Sequence, residues 1–206
     1  MNRIIEYLKK EYAPLSIIVY GSYADGSQNA NSDYDALVIS ESHGQFHDVS
    51  FVDGIQLDVF VYPRQYLNGE IDCEDFIQIF DGKIVMDTDE CGASLKRRVL
   101  KYLDTLPGKT PEELKNSVAW CQKMALRTER KDAEGVFRWH WVLTESLEMF
   151  CDLVGYPYRG PKKSLRWMKA EYPKEFDCYV NAMSCLDVSA LKNWVGCLEE
   201  HLSKRD

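Results

Sequence analysis

The sequence predicts an α+β chain, in which an N-terminal mixed sheet with flanking helices precedes a C-terminal all-α helical bundle. Short runs rich in β-branched residues, typical of strands, occur in the first half of the chain. Long stretches with helical periodicity fill the second half. A segment rich in proline and glycine, TLPGKTP at 105–111, separates the two. We therefore expect two domains, at 1–107 and 108–206.

The first half is expected to mix helices and strands. Ile4, Leu8 and Tyr12 lie on one stripe of a predicted helix over 2–12, which ends before Pro14. The other predicted elements are strands at 16–20, 34–39, 47–52, 55–62 and 83–86 and helices at 72–80 and 90–103. Together they predict a compact α/β unit.

Asp53-Gly54 predicts a β-hairpin, because a type I′ turn needs two residues that tolerate positive φ. Residues 47–52 are therefore expected to pair with residues 55–62. This pairing would build an antiparallel region beside the first strands.

The second half is expected to be helical throughout. Thr110, Pro111 and Glu113 have the spacing of a capping box with proline at the first helical position. The predicted helices run over 111–130, 133–154, 162–171, 174–185 and 188–203.

Two carboxylates are predicted to converge where the second strand begins. Asp33 and Asp35 are two residues apart, and side chains with that spacing on a strand point to the same face. Like charges held close together are unfavourable unless a cation lies between them. The pattern therefore favours a hard divalent ion such as Mg²⁺.

A third carboxylate, Asp58, interrupts an otherwise strand-like run. If it lies beside the first two, the three aspartates form a magnesium site suited to a nucleoside triphosphate. Asp48 and Asp53 are nearby alternatives, although the predicted turn already accounts for Asp53. Asp58 could also be a solvent-facing residue of an edge strand.

Gly21-Ser22 follows the first predicted strand, Asp33 and Asp35 lie at the start of the next, and Asp58 lies in a later strand. This order resembles that of the nucleotidyltransferase superfamily of DNA polymerase beta. Gly-Ser, then Asp-x-Asp in a strand, then a lone Asp in a later strand is most similar to small bacterial members related to kanamycin nucleotidyltransferase and to the minimal nucleotidyltransferases. The resemblance implies that Gly21 and Ser22 hold the triphosphate of ATP or another nucleoside triphosphate. It also implies that Asp33 and Asp35 bind two Mg²⁺ ions and that Asp58 completes one of the two metal sites.

The resemblance also suggests functional residues in the helical half. By analogy, Glu145 is the candidate general base, and Asp58 is the alternative. Lys162 and Lys163 are candidates for binding the phosphates of the nucleotide. Each has a structural interpretation as well, since Glu145 fits an exposed position beside a core stripe and the lysines fit a solvated loop.

The function implied is transfer of a nucleoside monophosphate, AMP from ATP in the favoured case, to a hydroxyl of a small-molecule acceptor, with release of pyrophosphate. An aminoglycoside-like antibiotic is one candidate acceptor. Two alternatives remain open: an antitoxin-type or regulatory transferase that acts on a protein partner, and a nucleotide-binding module without catalysis. Related enzymes form dimers, so a homodimer is one expectation.

Composition argues against several classes of partner. The net charge is −8, and residues 1–107 carry 9 basic against 18 acidic residues, which argues against binding a long nucleic acid. No apolar run approaches the ~20 residues that cross a bilayer, so we expect a cytoplasmic protein without a membrane partner. The seven cysteines are odd in number and form no Cys-x-x-Cys pair, which argues against a disulfide framework or a zinc site.

Overall fold

A computed structural model describes residues 2–130 and 132–205, which fall into two units. The first unit ends at Leu106 and the second begins at Pro107. The first contains a mixed sheet and the second is helical, which confirms the predicted fold class.

The first unit contains helices on either side of a six-stranded sheet. Its helices are α1 (Asn2–Tyr12), α2 (Gly21–Asp25) and α3 (Cys91–Thr105). Its strands are β1 (Pro14–Val19), β2 (Tyr34–Ser40), β3 (Phe46–Asp48), β4 (Phe51–Val52), β5 (Ile55–Pro63) and β6 (Lys83–Asp87). Two 3-10 helices complete the unit, at Arg64–Leu67 and Cys73–Ile79, and the second replaces the helix predicted over 72–80.

The strand order is β3-β5-β2-β1-β6, and β4 also pairs with β5. The pair β2 and β5 is parallel, whereas the other pairs are antiparallel. Alternate side chains of β2 enter two different cores, because Ala36 and Val38 pack on one face and Leu37 and Ile39 on the other. β2 is therefore a central strand, buried on both faces.

The predicted hairpin is confirmed. Asp53 has φ of 51° and Gly54 has φ of 79°, as the two central residues of a type I′ turn require. Val52 pairs with Ile55 directly after the turn. The side chain of Asp53 accepts a hydrogen bond from Arg3 at 3.3 Å.

The described residues of the second unit form five α-helices. They are α4 (Pro111–Arg127), α5 (Ala133–Val154), α6 (Pro161–Glu171), α7 (Pro173–Ser184) and α8 (Val188–Ser203), with a 3-10 helix at Thr128–Arg130. The capping box is confirmed, since the Thr110 hydroxyl accepts from the backbone of Glu113 and the Glu113 carboxylate accepts from the backbone of Thr110. Gly155 ends α5 with φ of 74°.

The core of the helical unit is aromatic. Trp194 of α8 is fully buried, and its indole N–H donates to the Ser146 hydroxyl of α5 at 2.7 Å. Phe150 packs against Trp194 and meets the edge of Tyr172. Across residues 2–130 and 132–205, none of the helices combines the length and apolar character that a bilayer span requires.

Candidate functional site

Three segments of the first unit meet at one edge of the sheet. β1 runs antiparallel to β2, so the chain leaves β1 where β2 begins, and the Tyr20 N–H donates to the Asp35 carbonyl at 3.1 Å. β5 runs parallel to β2, so its Asp58 lies in register with Asp35. The turn after β1 is thereby held beside both carboxylate-bearing strands.

The three aspartates form a cluster at this edge. Asp33 lies just before β2, Asp35 lies within it and Asp58 lies on the neighbouring strand. One carboxylate oxygen from each lies within 4.8 Å of the others. Asp35 and Asp58 are partly buried and Asp33 is exposed. Oxygen donors at this spacing are suited to a hard divalent cation.

The two alternative aspartates lie elsewhere. Asp48 is nearly buried and accepts a hydrogen bond from the Tyr12 hydroxyl at 2.5 Å. Burial alone would raise the pKa of Asp48, but hydrogen bonds from Tyr12 and Ser50 outweigh it, so the pKa is lowered. Asp53 belongs to the hairpin turn. Neither is among the clustered carboxylates.

Gly21 makes the turn after β1 possible next to Asp35. Its φ is +63°, and a Cβ at this position would lie 2.0 Å from Oδ2 of Asp35. Only a residue without a side chain fits so close to the carboxylate. Ser22 follows within α2 and is 8% exposed, and its carbonyl accepts from Gly26 and Ser27 at 3.0 Å.

Tyr20 shows the electrostatic effect of the cluster. Its phenol has a raised pKa, first because it is buried and then because Asp58, Asp35 and Asp33 disfavour a further negative charge. The phenol therefore stays protonated at neutral pH. The same concentration of negative charge favours a bound cation.

The sequence of this unit matches a known family. The family model described as nucleotidyltransferase domain matches residues 1–85, a range that includes all three clustered aspartates and Gly21-Ser22. The match spans 85 of the 206 residues, and it supports a nucleotidyltransferase enzyme of the kind that uses a nucleoside triphosphate.

Two solved structures show distant similarity to the chain. A nucleotidyltransferase-like protein from Exiguobacterium sibiricum is 13% identical, with a TM-score of 0.41, and the match covers 99% of this chain and 73% of that protein. A chain of a toxin-antitoxin structure with AMP-PNP is 19% identical, with a TM-score of 0.33, and the match covers 50% of this chain and 86% of that one. No curated protein matches.

The first unit also contains a neighbour of the aspartate cluster that is not among the predicted site residues. His47 lies on β3, and its Nε2 donates to Oδ1 of Asp58 at 2.5 Å. The register could have revealed it, because a two-residue turn pairs Val52 with Ile55, and counting back along both strands pairs His47 with Phe60. Asp58 and Phe60 share a face of β5, so His47 is a diagonal neighbour of Asp58.

The predicted residues outside this domain lie in the helical unit. Glu145 lies on α5 with an exposed side chain. The pKa of the Cys121 thiol on α4 is raised to about 12, first by burial and then by the negative charge of Glu145. The Glu145 carboxylate therefore acts electrostatically on a residue of α4. Lys162 is exposed and Lys163 partly buried, both in the first turn of α6. Their predicted roles remain proposals.

Proposed function

We propose that the chain transfers a nucleoside monophosphate, AMP from ATP, to a hydroxyl of a small-molecule acceptor in a Mg²⁺-dependent reaction that releases pyrophosphate. The observation that supports this proposal is the cluster of Asp33, Asp35 and Asp58 within a nucleotidyltransferase domain. The reaction is proposed to take place in the cytoplasm, as the sequence predicts. An aminoglycoside-like antibiotic is one candidate acceptor.

The residues at the cluster fit magnesium. All three donors are carboxylate oxygens, which this hard cation prefers. Their mutual repulsion gives the site an affinity for positive charge. Asp33 and Asp35 are the proposed ligands of two Mg²⁺ ions, and Asp58 completes one of the two sites. When bound, Mg²⁺ would neutralise charge that develops on the transferred phosphoryl group and on the pyrophosphate.

The chain's own groups would bind and orient the substrates. Gly21 leaves the backbone beside Asp35 uncovered, and we propose that Gly21 and Ser22 hold the triphosphate there. Lys162 and Lys163 are proposed to bind phosphate oxygens, because a magnesium-bound triphosphate still carries negative charge. Such binding holds the reacting groups in a fixed orientation and thereby lowers the entropic part of the barrier.

Removal of the proton from the acceptor hydroxyl needs a base within hydrogen-bonding reach. Glu145 is our first candidate, because its carboxylate is exposed on α5. Asp58 is the second candidate, because it belongs to the carboxylate cluster. Replacing Glu145 with Gln while leaving Asp58 intact separates the two, since only the first candidate predicts a loss of transfer rate with unchanged metal binding.

The test is transfer of label from α-phosphate-labelled ATP, with Mg²⁺, in a bacterial extract. We expect label in a new small molecule with the wild type. Asp33→Asn and Asp35→Asn should each reduce this transfer by more than ~100-fold, because loss of a metal ligand should exceed the effect of losing an outer-shell partner. Asp53→Asn is the matched control, because it removes a carboxylate of the same unit that lies in the hairpin turn. Normal turnover by Asp35→Asn would contradict the proposal.

The same experiment separates the alternatives. Label on a protein would favour the antitoxin-type or regulatory transferase. Binding of magnesium and ATP without label in any fraction, after purified acceptors of several classes have been added, would favour a nucleotide-binding module. Repeating the incubation with labelled GTP, CTP and UTP tests the choice of ATP.

A further inference from the structure

We infer that His47 is a positioning residue for Asp58, which orients this carboxylate for the cation at the aspartate cluster. The inference rests on the proposed metal site. His47 lies outside the order of Gly-Ser and three aspartates in the sequence, and it contacts the cluster from a different strand.

The strand order explains how a side chain of β3 reaches Asp58. β5 lies between β2 and β3, so Asp58 has Asp35 on one side and the β3 hairpin on the other. β2, which carries Asp35, is flanked by β5 and β1 instead. A side chain on β3 can therefore reach Asp58 from the side opposite Asp35.

Two constraints fix the imidazole of His47. Its backbone pairs with Phe60, and its ring stacks on the Phe60 ring with a centroid distance of 4.1 Å and an interplanar angle of 3°. The stacked ring then places Nε2 at 2.5 Å from Oδ1 of Asp58. Because the acceptor is a carboxylate oxygen, Nε2 carries the proton and donates.

The contact orients Asp58 without replacing it as a ligand. Among the described residues, the group whose potential ligand atoms all lie within 4.8 Å of one another consists of the three aspartates and does not include His47. A carboxylate accepts at two oxygens, so a donor on Oδ1 limits rotation of the group while Oδ2 stays available as an acceptor. Outer-shell partners of this kind orient metal ligands.

The competing interpretation is a surface ion pair without functional effect. The side chains of His47 and Asp58 are 41% and 34% exposed, and such pairs contribute about 0–1 kcal/mol to stability. The two interpretations differ in their effect on a cation. A surface pair predicts unchanged metal affinity after substitution, whereas a positioning residue predicts weaker binding.

Two variants separate the donor from the stack. His47→Phe keeps an aromatic ring against Phe60 and removes the N–H. His47→Gln keeps an N–H donor and removes the ring. His43→Phe is the matched control, because His43 contacts Ser40 and Ser42 and is not among the cluster residues.

The measurement is Mn²⁺ binding to the full chain without nucleotide, with free Mn²⁺ quantified by its electron paramagnetic resonance signal. We expect His47→Phe to weaken binding by about 10–100-fold, as for loss of other outer-shell partners, and His47→Gln to retain most of the affinity. His43→Phe should bind as the wild type does. Circular dichroism of each variant should match the wild type, because the sheet pairing is backbone-mediated.

Each other result overturns the inference. Wild-type affinity in His47→Phe would show that the contact is a surface ion pair. Equal loss in both His47 variants would show that packing, and not the donated hydrogen bond, is responsible. If the wild type itself binds no more Mn²⁺ than Asp35→Asn, the proposed metal site fails and the inference fails with it, which distinguishes that failure from the first two.

Discussion

Replacing Gly21 with alanine tests the geometry of the candidate site most directly. The new Cβ would lie 2.0 Å from Oδ2 and 2.7 Å from Cγ of Asp35, whereas ordinary contact begins at 3.4 Å. The carboxylate and the turn must therefore separate by a further ~1.4 Å. The residue must also keep φ of +63°, which disfavours any side chain.

The two effects have different magnitudes and different readouts. The positive φ costs about 1–2 kcal/mol of stability, because the left-handed conformation brings Cβ close to the following carbonyl. For a unit of ~100 residues, each 1 kcal/mol lowers the melting temperature by about 4–8 °C. Displacing Asp35 by more than ~1 Å should reduce nucleotidyl transfer by about 10²-fold.

Gly26→Ala separates these effects. Gly26 has φ of +79°, but a Cβ there meets nothing within 4 Å. It therefore carries the strain without the contact with Asp35. We expect both variants to lower the melting temperature, and only Gly21→Ala to lose transfer and Mn²⁺ affinity. Equal transfer and Mn²⁺ affinity in the two variants would refute the idea that Gly21 makes room for Asp35.

Two further predictions concern the helical unit. Thr110→Ala removes the capping box of α4 and should lower the free energy of unfolding by about 1 kcal/mol in urea titrations, whereas an unchanged midpoint would show that the cap is dispensable. Glu175 accepts from His201 at 2.8 Å, and although burial alone would raise the pKa of Glu175, this hydrogen bond outweighs it and lowers the pKa. Its stabilisation is therefore present above about pH 4.3, the usual pKa of glutamate, and is lost as the pH falls through the lowered value. The free energy of unfolding of Glu175→Gln should thus be lower than that of the wild type by about 1 kcal/mol at pH 6, and the difference should shrink towards pH 3. A difference that stays constant over that range would contradict a stabilising hydrogen bond to ionised Glu175.

Much of the fold follows from residues that act locally. Gly155 ends α5 and Thr110 begins α4 as predicted, because caps depend on the chemistry of a few adjacent residues. Asp53-Gly54 likewise determines its hairpin through the φ values that the two residues adopt. The proximity of Asp33 and Asp35 follows from their two-residue spacing at the start of β2.

Other features depend on distant parts of the chain. That Asp58 lies beside Asp35 requires β5 to pair with β2, and no local pattern determines which strands become neighbours. His47 was within reach of prediction, since the hairpin register places it diagonal to Asp58, but its significance depends on that same pairing. The predicted helix over 72–80 forms as a 3-10 helix at Cys73–Ile79, since an apolar pattern indicates burial better than it indicates helix type.

The parallel pairing of β2 with β5 also affects how the protein folds. Asp35 and Asp58 are separated along the chain by β3, β4 and the start of β5, so bringing them together requires the chain between them to close into a loop. The unfolded chain contains no such arrangement of carboxylates. Any ligand that binds the assembled cluster therefore stabilises the folded sheet by mass action, in proportion to the logarithm of its concentration above its dissociation constant. Folding and substrate loading are in this way thermodynamically linked through a single pair of adjacent strands.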